Sequence, residues 1–353
     1  MQTYNYLSNE LPRELIEVYN DLQADVLKII VKKLKQGESP ERVYQLIQDK
    51  VDVYNPKIQK VLQIIFADSK KKNVKDNEKE FKQAEDTAEP VSNDEANSLI
   101  LPAMIGGAGI ITLLNRKIVN NAINKYNSGY SYINSRYADK DKRKKQVFME
   151  LANKGITIYE SYGGGKSKNY SIENVLRRDV MYKVNQANAK INMVNYEKSN
   201  AKFIQVSSHP TARTWTKYMK HAYEDHSSWQ GKVYYSGTPI EGYQEFESTC
   251  GYGKLLGICG INCYHQFMLS HAGNNTATKY ADKKVERNYK LSQQQRQLER
   301  NIRKLKQAKS VYEEAGDELK TKQIQSRLRN ANAELKAFCD KNNLKYYNWR
   351  TQI

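Results

Sequence analysis

The stretch from Ser207 to His271 decides the fold, and three of its pieces stand out: SSHPTAR (207–213), HSSWQGKVYY (226–235) and CGYGKLLGICGINCYHQF (250–267). All five histidines of the chain and three of its four cysteines fall within this stretch. A solvated surface does not collect imidazoles and thiols in this way, because such clusters are usually buried or bound to a metal. The stretch therefore predicts either a metal site or a tightly hydrogen-bonded polar core.

The metal interpretation starts from Cys263 and His265, which lie two residues apart and would share a face if this segment is a strand. Two further ligands could complete a tetrahedral zinc site. The candidate metal ligands are His209, His226, Cys263 and His265, with Cys250 or Cys259 as substitutes. The spacing matches no standard zinc finger, and hydrogen-bonded histidines with buried thiols are the commoner fate of both residue types. Structural zinc and a metal-free polar core both stay open.

Catalysis by the same residues is the weaker interpretation, and we predict no catalytic residue and no enzyme. Cys263 and His265 are too close along the chain to adopt the geometry of a nucleophile and its base, and no carboxylate is evident to orient the histidine. The fragment GGKS at 164–167 ends like a phosphate-binding loop, but Glu160 stands where that motif has glycine. The alternative function is a zinc-dependent nuclease or hydrolase built on His209, His226 and His265.

Composition limits the class of protein and the class of partner. The chain has 353 residues and carries 57 Lys and Arg against 39 Asp and Glu, a formal charge of +18 that predicts attraction to a polyanion. Hydrophobic residues make up only 39% and charged residues 27%, which favours long exposed helices over one compact globule. The first residues, MQTYNYLSNELP, lack the basic and apolar regions of a secretion signal, so the cysteines are expected to stay reduced.

The spacing of apolar residues predicts an α+β chain that is predominantly α-helical, with long helices flanking a small β-containing His/Cys domain. Five consecutive parts are expected: an N-terminal helical docking region (1–67), a charged linker (68–97), a helical region with a β-hairpin near 155–170 (98–200), a His/Cys-rich α+β core domain (201–281) and a basic C-terminal helical hairpin with a coiled-coil seam (282–353). The linker is expected to be mobile because it has very few large apolar residues.

Several element boundaries follow from local residue types. An amphipathic helix is expected over 11–35, a short one from Ser39 to about Val51, and another starting at Pro56. Ser171 is expected to cap a helix that extends to about Ser199. Gly316 is the expected point of reversal in the C-terminal hairpin.

The most apolar segment, 99–114, has only 16 residues, whereas a helix that spans a bilayer needs about 20. We therefore interpret it as a buried helix or a contact with another protein chain. No stable membrane span is predicted, and membrane insertion is the less favoured alternative.

A basic cluster after this segment is the candidate nucleic-acid contact. Its residues are Lys140, Lys142, Arg143, Lys144 and Lys145. Tyrosines lie among the basic residues between 116 and 145, and this mixture suits phosphate contacts with base stacking, although a solvated helix face explains it equally well. The last part, 282–353, adds 18 Lys and Arg against 9 Asp and Glu.

The order of helix, glycine hairpin, helix, FIQVSSHPTAR, HSSWQGKVYY and CGYGKLLGICGINCYH resembles the phage minor capsid protein 2 family, relatives of the Mu-type head-morphogenesis proteins. The resemblance covers the chain from roughly Ile118 onward. It departs from the family pattern in the insert TWTKYMKHAYED (214–225) and in Tyr264, where arginine is common.

The resemblance implies a virion protein inside the capsid at the portal vertex, present in few copies and in the host cytoplasm during assembly. Its role would be structural, in head morphogenesis and in packaging or release of the genome. The implied partners are the portal protein and other capsid or scaffold proteins. The positive charge adds packaged double-stranded DNA, bound without sequence preference, as a hypothesis.

Overall fold

The computed structural model describes these residues of the chain: 13–135, 139–162, 166–271, 273 and 275–352. It confirms an α+β protein that is mostly helical, with a small four-stranded sheet and a C-terminal pair of helices. The chain forms two compact units, each made from separate segments. The first unit contains 62–110 and 176–292, and the second contains 13–61, 111–175 and 293–352.

Ten α-helices account for most of the described residues. They are α1 (Arg13–Gln36), α2 (Pro40–Gln83), α3 (Asn93–Asn134), α4 (Lys140–Lys154), α5 (Ile172–Val175), α6 (Met181–Lys198), α7 (His226–Trp229), α8 (Phe246–Cys250), α9 (Asp282–Ala315) and α10 (Glu318–Lys341). Short 3-10 helices span Ala222–Glu224 and Asn348–Thr351, and a π-helical turn, Leu176–Val180, joins α5 to α6.

Helix α1 shows how apolar periodicity builds the second unit. Its apolar residues recur every three or four positions, so they share one face of the helix. The buried ones are Leu15, Ile16, Val18, Tyr19, Leu22, Val26, Leu27, Ile30, Val31 and Leu34. The helix ends before Gly37, whose φ of +68° favours a residue without a side chain. The predicted helix is confirmed over the described residues.

Helix α2 corrects two expectations. It continues through Pro56 as one helix of 44 residues, where two separate helices were predicted, and it extends to Gln83, through most of the expected mobile linker. A proline inside a helix removes one hydrogen bond, but Val51 and Ile58 on either side are buried and hold the helix together. In the charged part, Val74 and Phe81 are buried. These two apolar residues therefore anchor the charged part of the helix.

Helix α3 contains the apolar segment 99–114. Among the described residues it is the one helix long and apolar enough to cross a membrane, and 22% of its most apolar window is buried. Ile100 and Ile111 are buried on one face, whereas Leu101, Ile105 and Leu113 are exposed on another. Burial of the segment is therefore partial, and no clear membrane span results.

The β-hairpin near 155–170 is confirmed. Strands β1 (Ile158–Tyr162) and β2 (Lys166–Tyr170) pair antiparallel, with Ile158 opposite Tyr170. The glycines expected in its turn, 163–165, lie outside the described residues. The cap at Ser171 is also confirmed, since its Oγ accepts a hydrogen bond from the backbone N–H of Asn174 at 3.3 Å.

The first unit contains a four-stranded mixed sheet. Its strands are β3 (Phe203–Val206), β4 (Val233–Tyr235), β5 (Gln244–Glu245) and β6 (Phe267–Ser270), in the order β5-β4-β3-β6. The pair β4 and β5 is parallel and the other pairs are antiparallel. Ile204 and Val206 point into a core that also contains Trp229, Phe246 and Phe267.

The C-terminal hairpin is confirmed as well. Helices α9 and α10 are separated by Gly316, whose φ is +77°, and Asp317, whose side chain accepts a hydrogen bond from Lys320 N at 3.0 Å. Ile324, Ala331 and Leu335 are buried along α10.

Candidate functional site

A buried group of three side chains lies at the centre of the histidine-rich stretch. One potential ligand atom each from His226, Cys263 and His265 lie within 4.8 Å of one another, and we call these residues the His/Cys cluster. All three are almost completely inaccessible to solvent. The structure thus brings together three of the four ligands that the sequence predicted.

Helix α7 positions the first member of the cluster. Asp225 caps this helix, with its carboxylate accepting hydrogen bonds from Ser227 N at 3.2 Å and Ser227 Oγ at 2.5 Å. His226 and Trp229 then point into the core, where their ring centroids are 4.6 Å apart. A single turn of helix is enough because the cap and the aromatic contact hold both of its ends.

The other two members are positioned by a loop, residues 251–263, that we call the glycine loop: Cys263 is its last residue and His265 lies two residues beyond. A Cβ atom on Gly257 would lie 2.0 Å from the carbonyl oxygen of Gly251, and one on Gly260 would lie 2.4 Å from that of Leu255. Both positions therefore require glycine, because the backbone folds back on itself. Cys259 and Asn262 adopt positive φ values of 57° and 55°. The loop is irregular, so Cys263 and His265 do not lie on a strand as expected; β6 begins only at Phe267.

Hydrogen bonds orient both cluster imidazoles. His226 Nε2 lies 2.9 Å from the carbonyl oxygen of Leu256, and His265 Nε2 lies 3.1 Å from Gln230 Oε1. The same Gln230 oxygen accepts a hydrogen bond from His209 N at 2.6 Å. Cys263 Sγ lies 3.7 Å from His265 Nδ1. The carbonyl and amide oxygens therefore lie at the Nε2 nitrogen of each ring, and the Nδ1 nitrogen of His265 faces the Cys263 thiol.

Burial sets the protonation of the cluster. It lowers the pKa of His226 well below the usual value, with His265 and Arg213 adding to the effect. Burial and then Arg213 lower the pKa of His265 to about 3. Burial raises the pKa of Cys263 to about 11, against smaller opposing contributions from hydrogen bonds and Arg213. At neutral pH the metal-free cluster holds two neutral imidazoles and a thiol, so Cys263 is not an activated nucleophile.

Arg213, which is not a member of the His/Cys cluster, holds the glycine loop in place through hydrogen bonds. Its guanidinium donates to the carbonyl oxygens of Leu256 at 3.2 Å and Ile261 at 2.7 Å. Leu256 O thus receives hydrogen bonds from both Arg213 and His226. The arginine of the SSHPTAR motif therefore has a positioning role that its sequence context alone did not reveal.

His209, the fourth predicted ligand, lies outside the His/Cys cluster. Its Nδ1 accepts a hydrogen bond from Thr211 N at 3.0 Å, and its ring centroid is 6.2 Å from that of His265. It also lines a cleft of about 600 Å³ in the first unit, together with Lys72, Asn73, Ser208, Tyr264 and Gln266 among others. Among the described residues, the group close enough to share a metal ion contains three side chains.

The two remaining histidines have separate surroundings. His221 is exposed and stacks on Tyr223, with ring centroids 4.9 Å apart. His271 Nε2 forms a hydrogen bond with the carboxylate of Asp86. The insert 214–225 places Trp215 and Tyr218 on the surface, where 55% and 80% of each residue is exposed.

A row of asparagines on α6 was not recognised from the sequence. Asn185 Nδ2 donates to Cys263 O at 2.8 Å and Asn192 Nδ2 donates to Phe267 O at 2.7 Å. Asn188 donates to Ser69 Oγ at 2.7 Å, and Asn195 accepts from Val91 N at 2.8 Å. Their positions follow a spacing of three, four and three residues, which puts them on one helix face. That spacing is visible in the sequence and predicts a polar seam.

The predicted nucleic-acid-binding residues lie on the first turns of α4. Lys140, Lys142 and Lys145 are exposed, and Lys144 is half-buried. Arg143 is buried, and its Nη1 donates to Ser135 Oγ at 2.6 Å and to Ser135 O. Arg143 therefore departs from the expectation, because its hydrogen bonds turn it towards the interior, away from solvent.

Comparisons with known proteins give the family. A protein named "Structural protein" from Lactococcus phage LL-H is 32% identical over 94 residues, which are 26% of this chain and 25% of that protein. The aligned region thus spans about a quarter of that relative. No solved structure matches the chain. The sequence profile of phage minor capsid protein 2 matches residues 5–340, which include the His/Cys cluster and the glycine loop. On that near-complete match, the chain belongs to the phage minor capsid protein 2 family.

Proposed function

We propose that this protein is a structural component of a phage head, located inside the capsid at the portal vertex. There it acts in head assembly, in contact with the portal protein and with other capsid or scaffold proteins. The observation that carries the proposal is the match of residues 5–340 to the family of phage minor capsid proteins. The relative from Lactococcus phage LL-H is itself named a structural protein, in agreement with this role.

The burial of the His/Cys cluster supports a structural role over turnover. His226 is 1% exposed, Cys263 0% and His265 3%, whereas a hydrolytic site must admit its substrate. The zinc-dependent nuclease or hydrolase is therefore the second choice. Incubation of the purified protein with double-stranded DNA, with and without a chelator, separates the two. Cleavage that the chelator abolishes would favour the enzyme.

Contact with packaged DNA is the second part of the proposal. The formal charge of +18 and the exposed lysines Lys140, Lys142 and Lys145 supply cations for phosphate groups. Residues 282–353 account for nine of these excess positive charges, from 18 Lys and Arg less 9 Asp and Glu. Because such contacts are made with the phosphates of DNA and not with its bases, the binding is expected to be independent of the DNA sequence.

Salt titration tests the DNA contact. Affinity for a short random duplex should fall steeply with salt, and Lys142→Glu with Lys145→Glu should flatten the slope of log K against log salt by about 2. Lys57→Glu with Lys60→Glu, two exposed lysines on α2, is the matched control for net charge. Equal slopes for the two double variants would show that α4 does not contact DNA. Binding that does not change with salt would contradict DNA contact by the whole chain.

The position in the virion requires a separate test. Cross-linking of purified particles followed by mass spectrometry should join this chain to the portal protein, and an electron-microscopy map should place it inside the head at one vertex. Cross-links confined to the capsid lattice, or density on the outer surface, would contradict the portal assignment.

A structural zinc ion in the His/Cys cluster is the cofactor included in this proposal. Imidazole and thiolate are the ligands that zinc prefers, and both are present within one buried group. Its role there would be to hold together chain segments that the fold brings side by side.

A further inference from the structure

The first observation concerns the separation of the potential ligands. Two ligands of a tetrahedral zinc ion, with bonds of about 2.0 Å to nitrogen and about 2.3 Å to sulfur, lie about 3.5 Å apart. Cys263 Sγ and His265 Nδ1 are 3.7 Å apart. One edge of a coordination tetrahedron therefore already has its required length. One ring nitrogen of His226 lies within 4.8 Å of a ligand atom on each of the other two residues.

The second observation concerns the tautomers of the two rings. The carbonyl oxygen of Leu256 can only accept, so His226 Nε2, at 2.9 Å from it, carries the proton. Gln230 Oε1 accepts a hydrogen bond from His209 N, which shows that this atom is the amide oxygen and not the amide nitrogen. Since an oxygen of this kind can only accept, His265 Nε2 next to it carries the ring proton. A neutral imidazole protonated at Nε2 presents its lone pair at Nδ1. Oxygen acceptors on the outer nitrogen are also the usual second shell of zinc-binding histidines.

We propose that His226 Nδ1, Cys263 Sγ and His265 Nδ1 bind one zinc ion. The ion joins α7 to the end of the glycine loop, which the hydrogen bond from His226 to Leu256 also connects. On binding, the bond between zinc and Cys263 Sγ forms and the thiol proton passes to solvent. The assignment deepens the proposed structural role by naming the ligand set, and it rests on that role for the purpose of the ion.

The other cysteines have different partners. The Cys259 thiol donates to the carbonyl oxygen of His265 at 3.6 Å. Cys339 is buried on α10 in the second unit. With three protein ligands, the fourth position of the ion takes a small ligand such as water. Burial of the cluster keeps this position from larger molecules, so the ion holds the fold and does not bind substrate.

Metal analysis and cobalt substitution test the ligand set. The full-length protein, purified from zinc-supplemented medium without a histidine tag, should contain about one zinc ion per chain. Replacement by Co²⁺ should give the near-ultraviolet charge-transfer band of a thiolate bound to cobalt. Cys263→Ser should lose this band and the bound metal, whereas Cys339→Ser, which removes another buried thiol, should keep both.

The outcomes separate this inference from the capsid role. Two results would overturn the ligand assignment. One is a folded wild-type protein that contains no zinc. The other is loss of the cobalt band in both Cys339→Ser and Cys263→Ser. If Cys263→Ser fails to fold, His265→Asn and a chelator titration of the wild type replace it. A chelator that leaves the melting temperature unchanged then counts against the site. Incorporation of the protein into particles is measured separately, so a capsid protein without zinc is a distinguishable result.

Discussion

Helix α1 in the second unit and the glycine loop in the first both contain buried residues, but different interactions hold the two in place. Helix α1 buries ten residues in a regular apolar stripe. Each of them stabilises the fold mainly because its apolar surface is removed from water. The glycine loop has no regular period, and hydrogen bonds from Arg213, His226 and Asn185 hold its backbone. An apolar stripe tolerates moderate changes in the shape of its side chains. The conformation of a loop held by hydrogen bonds depends instead on individual donor and acceptor atoms.

The glycine loop should give the largest effect. Gly257→Ala places a Cβ atom 2.0 Å from Gly251 O, and backbone on both sides prevents it from moving away. We expect a loss of more than about 4 kcal/mol, enough to prevent folding of the first unit. Soluble yield and the near-ultraviolet circular dichroism of Trp229 would report it. Gly109→Ala, at a helical position with open space around it, is the control and should be neutral or stabilising. Comparable behaviour of the two variants would contradict the packing of the loop.

The second effect tests the apolar stripe of α1. Leu22→Ala removes a fully buried side chain and should cost about 2–5 kcal/mol in unfolding free energy, because the surrounding helices only partly fill the cavity. Val53→Ala, at a position that is 72% exposed, should change stability by less than about 0.5 kcal/mol. Chemical denaturation followed by far-ultraviolet circular dichroism measures both. Equal costs would show that α1 is not part of a packed core.

The third effect tests the asparagine seam of α6. Asn192→Ala removes the donor to Phe267 O and the acceptor for Asn77 Nδ2, which lies 3.0 Å away. Two buried groups lose their partner, and the expected cost is about 1–3 kcal/mol. Denaturation of this variant should be compared with that of Asn174→Ala, which changes an exposed asparagine on α5. If the two variants were equally stable, the seam would not stabilise the first unit.

The smallest effect concerns acid stability near β6. Burial raises the pKa of Asp86, but hydrogen bonds from His271, Ala88 and Asn200 outweigh it and lower the pKa to about 2. Since the folded pKa is below the unfolded one of about 4, the ionised carboxylate stabilises the fold above pH 4 and stops doing so as pH falls towards 2.

Asp86→Asn should therefore be less stable than the wild type by about 1 kcal/mol at pH 6, and the difference should shrink between pH 4 and 2. Unfolding free energies across that range provide the measurement. A difference that stays constant down to pH 2 would show that the charge of Asp86 is not involved.

Prediction from sequence succeeded where local chemistry repeats along the chain. The stripe of α1, the cap at Ser171 and the reversal at Gly316 each depend on residues within a few positions of one another. It failed for 68–97, because the contribution of Val74 and Phe81 depends on distant partners that no local pattern reveals. The asparagines of α6 were visible as a 3-4-3 spacing, but asparagine is more common in turns, and the pattern was therefore overlooked.

For the site, the sequence alone determined that imidazoles, thiols and glycines are concentrated between Ser207 and His271. Only the tertiary structure decided that His209 lies apart, that Arg143 is buried and that Arg213 fastens the glycine loop. The physical reason is the distance along the chain over which each kind of interaction acts. Periodicity and capping are properties of neighbouring residues, whereas the direction of a side chain in an irregular loop is set by backbone atoms brought close only by folding.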